Sequence, residues 1–257
     1  MTNKKIYFAS DFHLGSDAKY SSREREHQIV RWLDSIRADA EAIYLVGDIF
    51  DFWFEYKTVV PKGYVRLLGK LAELRDAGIP IFFFIGNHDM WMFKYFEEEL
   101  GIPIYRKPIV EKLKGKTFFI GHGDGLGPGD HGYKFLKKVF SNPLCQWLFA
   151  RLHPNFAIGL ANFWSNRSRD SNPAEEKFLG EDKEWLLQYA NRKLDTVAAD
   201  FFVFGHRHLP IDYTLKNGTS RYINLGEWMN YNSYACFDGE TMEVCFFENL
   251  EGACFVG

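Results

Sequence analysis

The sequence contains no apolar run that approaches the roughly 20 residues needed to cross a bilayer. Its first ten residues, MTNKKIYFAS, lack the long apolar segment and the small-residue cleavage site of a signal peptide. The net charge is -3, which provides no broadly basic surface, so we expect no nucleic-acid partner. From these absences we expect a cytoplasmic protein.

Closely spaced cysteines are missing as well. The chain has four cysteines with no CxxC spacing, and we expect them to be reduced packing residues: Cys145, Cys236, Cys245 and Cys254. Apolar residues, by contrast, are abundant, since 46% of the 257 residues are hydrophobic and 18% are aromatic. That is enough for one substantial domain over 1–257, with a helical insert at about 126–199.

The stretch 42–53, AIYLVGDIFDFW, joins a buried-strand pattern to an acidic residue. Its apolar run ends at Gly47 and is followed at once by Asp48. Four apolar residues bounded by a glycine fit a strand that is covered on both faces. Asp48 would then lie at the carboxyl end of that strand, where open α/β sheets place their ligands.

Four more predicted strands end in polar side chains. Together the five strands are followed by seven candidate ligands: Asp11, His13, Asp48, Asn87, His122, His206 and His208. Each alone has an ordinary explanation, because an acidic residue can cap a helix and a histidine can be a satisfied core residue. Together, their carboxylate, imidazole and amide oxygen donors suit Mn, Fe, Zn or Mg. If the backbone stays extended, the D-x-H spacing points Asp11 and His13 the same way.

Strand and helix patterns alternate over the first 120 residues, which favours βαβ units and a largely parallel sheet. The segments 104–113 and 116–120 are predicted to be strands on either side of a turn. After residue 200, short strand patterns alternate around Asn217-Gly218 and Asp238-Gly239, which are hairpin signals. We expect the C-terminal third to form a second, mainly antiparallel sheet. The predicted fold class is α/β, a four-layer α/β/β/α sandwich with a helical insertion that forms a cap.

The region of about 126–199 is helix-like and has no strand pattern. Its middle is rich in apolar and aromatic residues, and basic residues lie between them. One interpretation is a helical lid that packs on the main core. The other is an apolar groove for a lipid or a membrane surface, rimmed by cations for phosphate. Both interpretations remain open from these residues.

Five blocks, DFH, GDIFD, GNHD, GHGD and GHRH, resemble in this order the signature blocks of the calcineurin-like metallophosphoesterases. The resemblance implies two divalent metal ions, which we expect to be Mn²⁺, with Mg, Fe or Zn as alternatives. The resemblance also divides the seven candidates between the two ions. It implies that Asp11, His13 and His208 bind one ion and that Asn87, His122 and His206 bind the other. Asp48 would bridge the two. His88 resembles the family histidine that contacts phosphate and assists the leaving oxygen, with Asp89 as its orienting partner.

GDIFDFW, GHGDGLGPGDHGYKFLKKVF and the insert resemble, over nearly the whole chain, the UDP-2,3-diacylglucosamine pyrophosphohydrolases of lipid A synthesis. That resemblance implies a lipid-linked nucleotide substrate, cleaved to UMP and 2,3-diacylglucosamine 1-phosphate, and an insert that holds two acyl chains. It also implies loose, peripheral attachment to the cytoplasmic face of the inner membrane. Many members of that family have Arg where this chain has His88. We expect substrate contacts from six residues: Asn87, Tyr133, Phe156, Phe163, Arg167 and Arg169.

Two other functions stay open beside this one. A different calcineurin-like phosphoesterase would use the same centre on a phosphomonoester, a cyclic nucleotide or another nucleotide diphosphate. A non-catalytic scaffold would use the fold as an interaction surface. A scaffold would tolerate the loss of ligands, however, whereas this chain has all seven together with His88. The sequence does not indicate the oligomeric state.

Overall fold

The computed structural model describes residues 4–127, 131–171 and 177–248, and of positions 131, 162 and 164–171 it describes the backbone alone. No helix in these ranges is long and apolar enough to cross a membrane. The strands and helices follow in the order β1 (Lys5–Ala9), α1 (Ser22–Ile36), β2 (Ala40–Val46), α2 (Val65–Asp76), β3 (Ile81–Phe84), α3 (Tyr95–Leu100), β4 (Ile104–Tyr105), β5 (Ile109–Leu113), β6 (Lys116–Ile120), α4 (His131–Phe140), α5 (Pro143–Phe149), α6 (Pro154–Ser171), α7 (Trp185–Lys193), β7 (Phe201–Phe204), β8 (Pro210–Thr214), β9 (Arg221–Leu225), β10 (Ser233–Phe237) and β11 (Met242–Phe246).

The strands form two sheets. The first sheet has the order β11-β10-β1-β2-β3-β4. Strands β1 to β4 are parallel to one another, and β10 is antiparallel to both β1 and β11. The parallel run agrees with the βαβ pattern of the sequence. Both predicted hairpins are present, because Asn217-Gly218 joins β8 to β9 and Asp238-Gly239 joins β10 to β11.

The second sheet differs from the prediction. Its order is β5-β6-β7-β9-β8, with two parallel and two antiparallel pairings, so it is mixed rather than mainly antiparallel. The C-terminal third also divides between the sheets, because β10 and β11 join the first one. There β10 pairs with β1 and covers what would otherwise be an open edge of the parallel strands.

The segment 104–113, predicted as one strand, is two strands in different sheets. Tyr105 ends β4 in the first sheet, and Ile109 begins β5 in the second. The chain crosses between the sheets over residues 106–108. Pro108 lies in this crossing, and because it has no backbone N–H it cannot continue a strand ladder.

Three clusters of buried side chains show how the layers pack. One lies between the first sheet and the helices α1 to α3, and it contains Trp32 and Leu71. A second joins the inner faces of the two sheets, with Phe8 from one and Phe118 from the other. A third packs Leu187 of α7 and its neighbours on the outer face of the second sheet. The four-layer α/β/β/α order is therefore confirmed, and α7, which lies within 126–199, forms its fourth layer.

The start of α1 shows how local sequence fixes an element. Ser21 accepts a hydrogen bond from the backbone N–H of Glu24, whose side chain in turn accepts one from the backbone N–H of Ser21. This reciprocal pair satisfies two of the N–H groups that a helix leaves open at its start. The apolar residues of the helix then bury one face against the first sheet, as the sequence spacing predicts.

Glycines allow the ends of neighbouring strands to approach closely at the predicted metal centre. A Cβ atom on Gly86 would lie 2.1 Å from Oδ1 of Asp48 and 2.6 Å from its backbone nitrogen. A Cβ atom on Gly205 would lie 2.5 Å from Oδ2 of Asp11. Contacts this short are impossible, so the glycines that precede the candidate ligands are required by packing. They leave room for the carboxylate of the adjacent strand.

We predict that Gly86→Ala displaces Asp48, because the new methyl group and that carboxylate cannot occupy the same space. The free energy of unfolding should fall by about 1–3 kcal/mol, as for an overpacked core. Gly69→Ala is the matched control, since Gly69 lies in α2 and a Cβ atom there would meet no other atom within 4 Å. The control should be neutral or stabilise by up to about 1 kcal/mol through helix propensity. Urea unfolding of both variants measures the difference, and equal stability would contradict the steric argument.

Candidate metal centre

Five of the candidate ligands have an unusual backbone conformation. The φ angle is positive at each of them: Asp11 (55°), His13 (45°), Asp48 (53°), His206 (66°) and His208 (59°). Non-glycine residues rarely adopt this left-handed conformation, and it is concentrated at functional sites, where the surrounding structure enforces it. The extended D-x-H backbone considered from the sequence is therefore wrong. The side chains of Asp11 and His13 converge because the chain turns sharply at both residues.

The first group of converging side chains consists of Asp11, His13, Asp48 and His208. Each offers one ligand atom, and the four atoms lie within 4.8 Å of one another. Nε2 of His208 is 3.1 Å from both Oδ1 of Asp11 and Nε2 of His13. Nε2 of His13 is 3.6 Å from Oδ1 of Asp11 and 3.9 Å from Oδ2 of Asp48.

The second group shares Asp48 with the first. It joins that carboxylate to His122 and His206, again with all ligand atoms within 4.8 Å. Nε2 of His122 lies 3.2 Å from Oδ2 of Asp48 and 3.2 Å from Oδ1 of Asn87. All seven predicted ligands therefore meet at one place, and Asp48 belongs to both groups.

The donor atoms fit divalent cations. Oδ1 of Asp11 and Oδ2 of Asp48 are buried and have no hydrogen-bond partner among the described residues. Burial would raise the pKa of both carboxyl groups, but the surrounding imidazoles hold the pKa of each well below its usual range. Burial would likewise lower the pKa of His13 and His122, yet the carboxylates raise it to about 10 in both. A site that attracts protons this strongly attracts positive charge, which a metal ion would also supply.

Arg25 of α1 supports the loop that carries the first two ligands. Its side chain is only 1% exposed. The guanidinium donates hydrogen bonds to the backbone oxygens of Phe12 and His13, both at 2.8 Å, and also to those of Ser16 and Tyr20. A buried guanidinium is costly to desolvate unless such acceptors surround it. Arg25 therefore ties the first helix to the metal centre, a role that the sequence pattern did not indicate.

Asp89 does not lie where the sequence analysis expected it. Its carboxylate accepts hydrogen bonds from four backbone N–H groups: Gly86 (2.7 Å), Ile49 (2.8 Å), Asp48 (3.3 Å) and Phe50 (3.4 Å). It thus connects the third block of the chain to the loop after β2 and fixes Asp48 rather than orienting His88. The physical reason is that the turn at Asp48 leaves N–H groups without strand partners, and Asp89 satisfies them.

Asp51 is the residue that lies beside His88. Nδ1 of His88 is 3.1 Å from the backbone oxygen of Asp51 and 3.7 Å from its Oδ1. The same Oδ1 atom is 3.5 Å from Nδ1 of His13. Because a carbonyl oxygen only accepts, Nδ1 of His88 carries the proton in this contact. Burial lowers the pKa of His88. Asp51 therefore positions one predicted ligand and one predicted catalytic residue together.

Two partly buried polar contacts join the helical region to the loops that carry the candidate ligands. Asp124, two residues after His122, accepts hydrogen bonds from the hydroxyl group of Tyr133 at 2.6 Å and from Nζ of Lys137 at 2.5 Å. Glu184, at the start of α7, forms a two-point ion pair with Arg207, with both N–O distances at 3.0 Å. Tyr133, which we expected to contact substrate, thus anchors α4 to the centre.

The apolar residues of α4 to α6 are largely on the surface. Trp147 is 53% exposed, Phe156 is 62% exposed and Phe163 is 59% exposed. A lid whose aromatic residues were buried in its own core would not show these values. On the inner side, Phe149 packs on Phe54 and the ring of Trp91. The side chains of Arg167 and Arg169, which we expected to contact substrate, lie outside the described residues.

Most of the supporting residues that the sequence did not predict lie inside the five sequence blocks. Asp51 belongs to GDIFD, Asp124 to GHGD and Arg207 to GHRH. Their positions within these blocks indicated a role near the centre. The blocks alone, however, do not distinguish a metal ligand from a residue that holds a ligand in place. Arg25 and Glu184 lie outside the blocks, and nothing in their local sequence marks them.

Comparison with known proteins identifies the family. A family model described as calcineurin-like phosphoesterase matches residues 4–210. A UDP-2,3-diacylglucosamine hydrolase from Porphyromonas gingivalis is 41% identical over 261 residues, which cover 96% of this chain and 99% of that protein. A protein of the same name from Aeromonas salmonicida is 28% identical over 236 residues, 91% of this chain and 90% of its own.

Among solved structures, that of a novel archaeal phosphodiesterase matches with a TM-score of 0.48 and 13% identity, over 94% of this chain and 99% of that chain. The family match spans all five sequence blocks, from Asp11 to His208. It confirms the family predicted from those blocks and the prediction of a hydrolytic enzyme. The chain belongs to the calcineurin-like phosphoesterases.

Proposed function

We propose that this enzyme hydrolyses the pyrophosphate bond of UDP-2,3-diacylglucosamine and releases UMP and 2,3-diacylglucosamine 1-phosphate. The observation that carries phosphoester hydrolysis is the buried carboxylate of Asp48, shared by two groups of ligands. The substrate is supported by the hydrolase from Porphyromonas gingivalis, whose 41% identity extends over nearly the full length of both proteins. Assaying the metal-loaded protein on this lipid, on bis-p-nitrophenyl phosphate and on a phosphomonoester tests the assignment. Turnover of the phosphomonoester alone would exclude it.

Two Mn²⁺ ions are the proposed cofactors, because carboxylate, imidazole and amide donors suit this metal, although they also suit Mg, Fe and Zn. Asp11, His13 and His208 would hold one ion, Asn87, His122 and His206 would hold the other, and Asp48 would bind both. When bound, such cations supply Lewis acidity to the phosphoryl group and to water. The left-handed backbone at five of these residues directs their donor atoms toward one another.

His88 is the proposed catalytic residue of the chain itself. The backbone oxygen of Asp51 holds Nδ1 of its ring at 3.1 Å, which fixes the ring orientation and the tautomer. The ring also lies edge-on to that of His13, with centroids 4.9 Å apart, so it borders the first group of ligands. From there Nε2 would face the phosphate, and in the imidazolium form, which the negative charge of a phosphate favours, Nε2–H would donate its proton to the leaving oxygen while Nδ1–H stays bonded to Asp51.

The exposed apolar surface of α4 to α6 is the proposed site for the acyl chains and for peripheral contact with the cytoplasmic face of the inner membrane. Phe156 and Phe163 are seven residues apart in α6 and thus lie on one face of the helix. Arg151 lies over the ring of Trp147, with its guanidinium carbon 4.6 Å from the ring centroid. An aromatic and cationic pair of this kind suits the boundary between lipid tails and phosphate groups.

We predict that Asp48→Asn abolishes turnover and removes both metal ions, since a neutral side chain replaces the carboxylate that they share. Elemental analysis after dialysis measures the metal content, and the assay on bis-p-nitrophenyl phosphate measures turnover. Asp34→Asn, at an exposed position of α1, is the control and should retain both. Near-full metal occupancy with normal turnover in Asp48→Asn would show that Asp48 is not the bridge.

His88→Ala should separate chemistry from metal binding. Because its proposed role is on the substrate, turnover should fall by about 10²–10⁴ while the metal content stays at the wild-type value. His153→Ala, in the exposed turn before α6, should leave both unchanged. Loss of metal from His88→Ala would instead identify this residue as a ligand or as a structural support.

Phe156→Ala and Phe163→Ala should act on the lipid substrate selectively. Each removes apolar surface worth about 1.5–3 kcal/mol when buried by an acyl chain, which corresponds to about a 10–150-fold loss of kcat/KM. The small diester does not reach this surface and should be hydrolysed normally. Val65→Ala, at a 73% exposed position of α2, is the control for loss of surface apolar area. Equal losses on both substrates with a lower melting temperature would show that these residues serve the core.

A further inference from the structure

A pair of thiols lies on the first sheet, apart from the catalytic centre. Cys236 is in β10 and Cys245 is in β11, the outermost strand. The register pairs Cys236 with Glu243, and Glu243 and Cys245 point to the same face because they are two residues apart. Cys236 also pairs with Tyr7 of β1. Because Tyr7 precedes Asp11 by four residues, about 13 Å of extended chain separates the thiol pair from the candidate metal centre.

These three side chains form a compact group of donors. One ligand atom from each of Cys236, Glu243 and Cys245 lies within 4.8 Å of the other two. The two sulfur atoms are 3.8 Å apart. A tetrahedral zinc ion with Zn–S bonds of about 2.3 Å requires a sulfur–sulfur distance of about 3.8 Å. A disulfide requires about 2.05 Å, so the two thiols are unbonded, and their contact distance is one that a zinc chelate can also adopt.

The surroundings favour a thiolate at one position. Hydrogen bonds from Cys236 and Tyr234 lower the pKa of Cys245, although burial and the Glu243 carboxylate oppose them, and the same contact raises the pKa of Cys236. Cys236 is buried and Cys245 is half-buried, whereas Glu243 is exposed. The group is therefore open to solvent on the Glu243 side, where an ion can enter and a water molecule can complete four ligands. Binding would release the thiol protons to solvent.

We propose that Cys236, Cys245 and Glu243 bind one thiophilic divalent cation of the class of Zn²⁺ and Cd²⁺. Thiolates select such ions over Mn²⁺ or Mg²⁺, which the oxygen and nitrogen donors of the catalytic cluster suit. The bound ion connects β11 to β10 and so stabilises the outermost pair of strands. The site is independent of the proposed substrate and of the catalytic metals.

Titration of the reduced, full-length chain with Cd²⁺ tests the site through the ultraviolet absorption of cadmium–thiolate bonds. The catalytic cluster contributes no sulfur and cannot produce this band. We expect saturation at one Cd²⁺ per chain, reversal by excess Zn²⁺ and a higher melting temperature. Cys245→Ser and Cys236→Ala should lose the band. Glu243→Gln should keep it but weaken binding by about tenfold or more, because one ligand is lost.

Three variants are matched controls and should behave as the wild type. Cys145→Ser and Cys254→Ser remove the remaining thiols, of which Cys254 lies outside the described residues, and Glu240→Gln removes a carboxylate from the turn before β11. A band that persists in both Cys245→Ser and Cys236→Ala overturns the proposal, as does the absence of a saturable band. If the reduced pair binds no Cd²⁺ and instead forms a disulfide with glutathione disulfide, it is a redox pair and the metal assignment fails.

Discussion

The shared carboxylate of Asp48 is the constraint on which the rest of the centre depends. It is buried, belongs to both groups of candidate ligands and has one oxygen without a hydrogen-bond partner among the described residues. Such a group is unfavourable in a protein interior unless positive charge compensates it. The surrounding structure holds it nevertheless: Asp89 fixes the backbone on either side of it, and Gly86 leaves it the space it needs. The buried carboxylate is thus kept in a place where it can bind cations, although its burial opposes folding.

The sequence predicted most of the strands, the four layers and the seven side chains that converge. These predictions succeeded because each rests on a local signal: an apolar run, a glycine and a polar residue at the strand end. The backbone at Asp11, His13 and Asp48 could not be predicted in this way. Its left-handed conformation is enforced by distant partners such as Arg25 and is not favoured by the residues themselves.

The errors in the predicted fold have the same origin. Strand pairing is decided by which edges remain open after the other strands have assembled, and this is a property of the whole sheet. The short β4 and β5 therefore appeared as one segment although they belong to different sheets, and β10 appeared to belong with β9 although it covers β1. Asp89 was misassigned because its four N–H partners arise only from the turn after β2 and the end of β3.

Two polar contacts join the helices to the loops that carry the candidate ligands. Asp124 holds α4 beside the loop of His122, and Glu184 holds the start of α7 beside Arg207, which separates His206 from His208. The loops that present the second group of candidate ligands therefore also hold the first and the last helix of this region. The Glu184–Arg207 pair is the better shielded of the two, since its side chains are 2% and 11% exposed, whereas the Lys137 side chain is 36% exposed. The helices that carry the exposed apolar surface are therefore attached to the same loops as the candidate ligands, as the proposed binding of a lipid substrate across both requires.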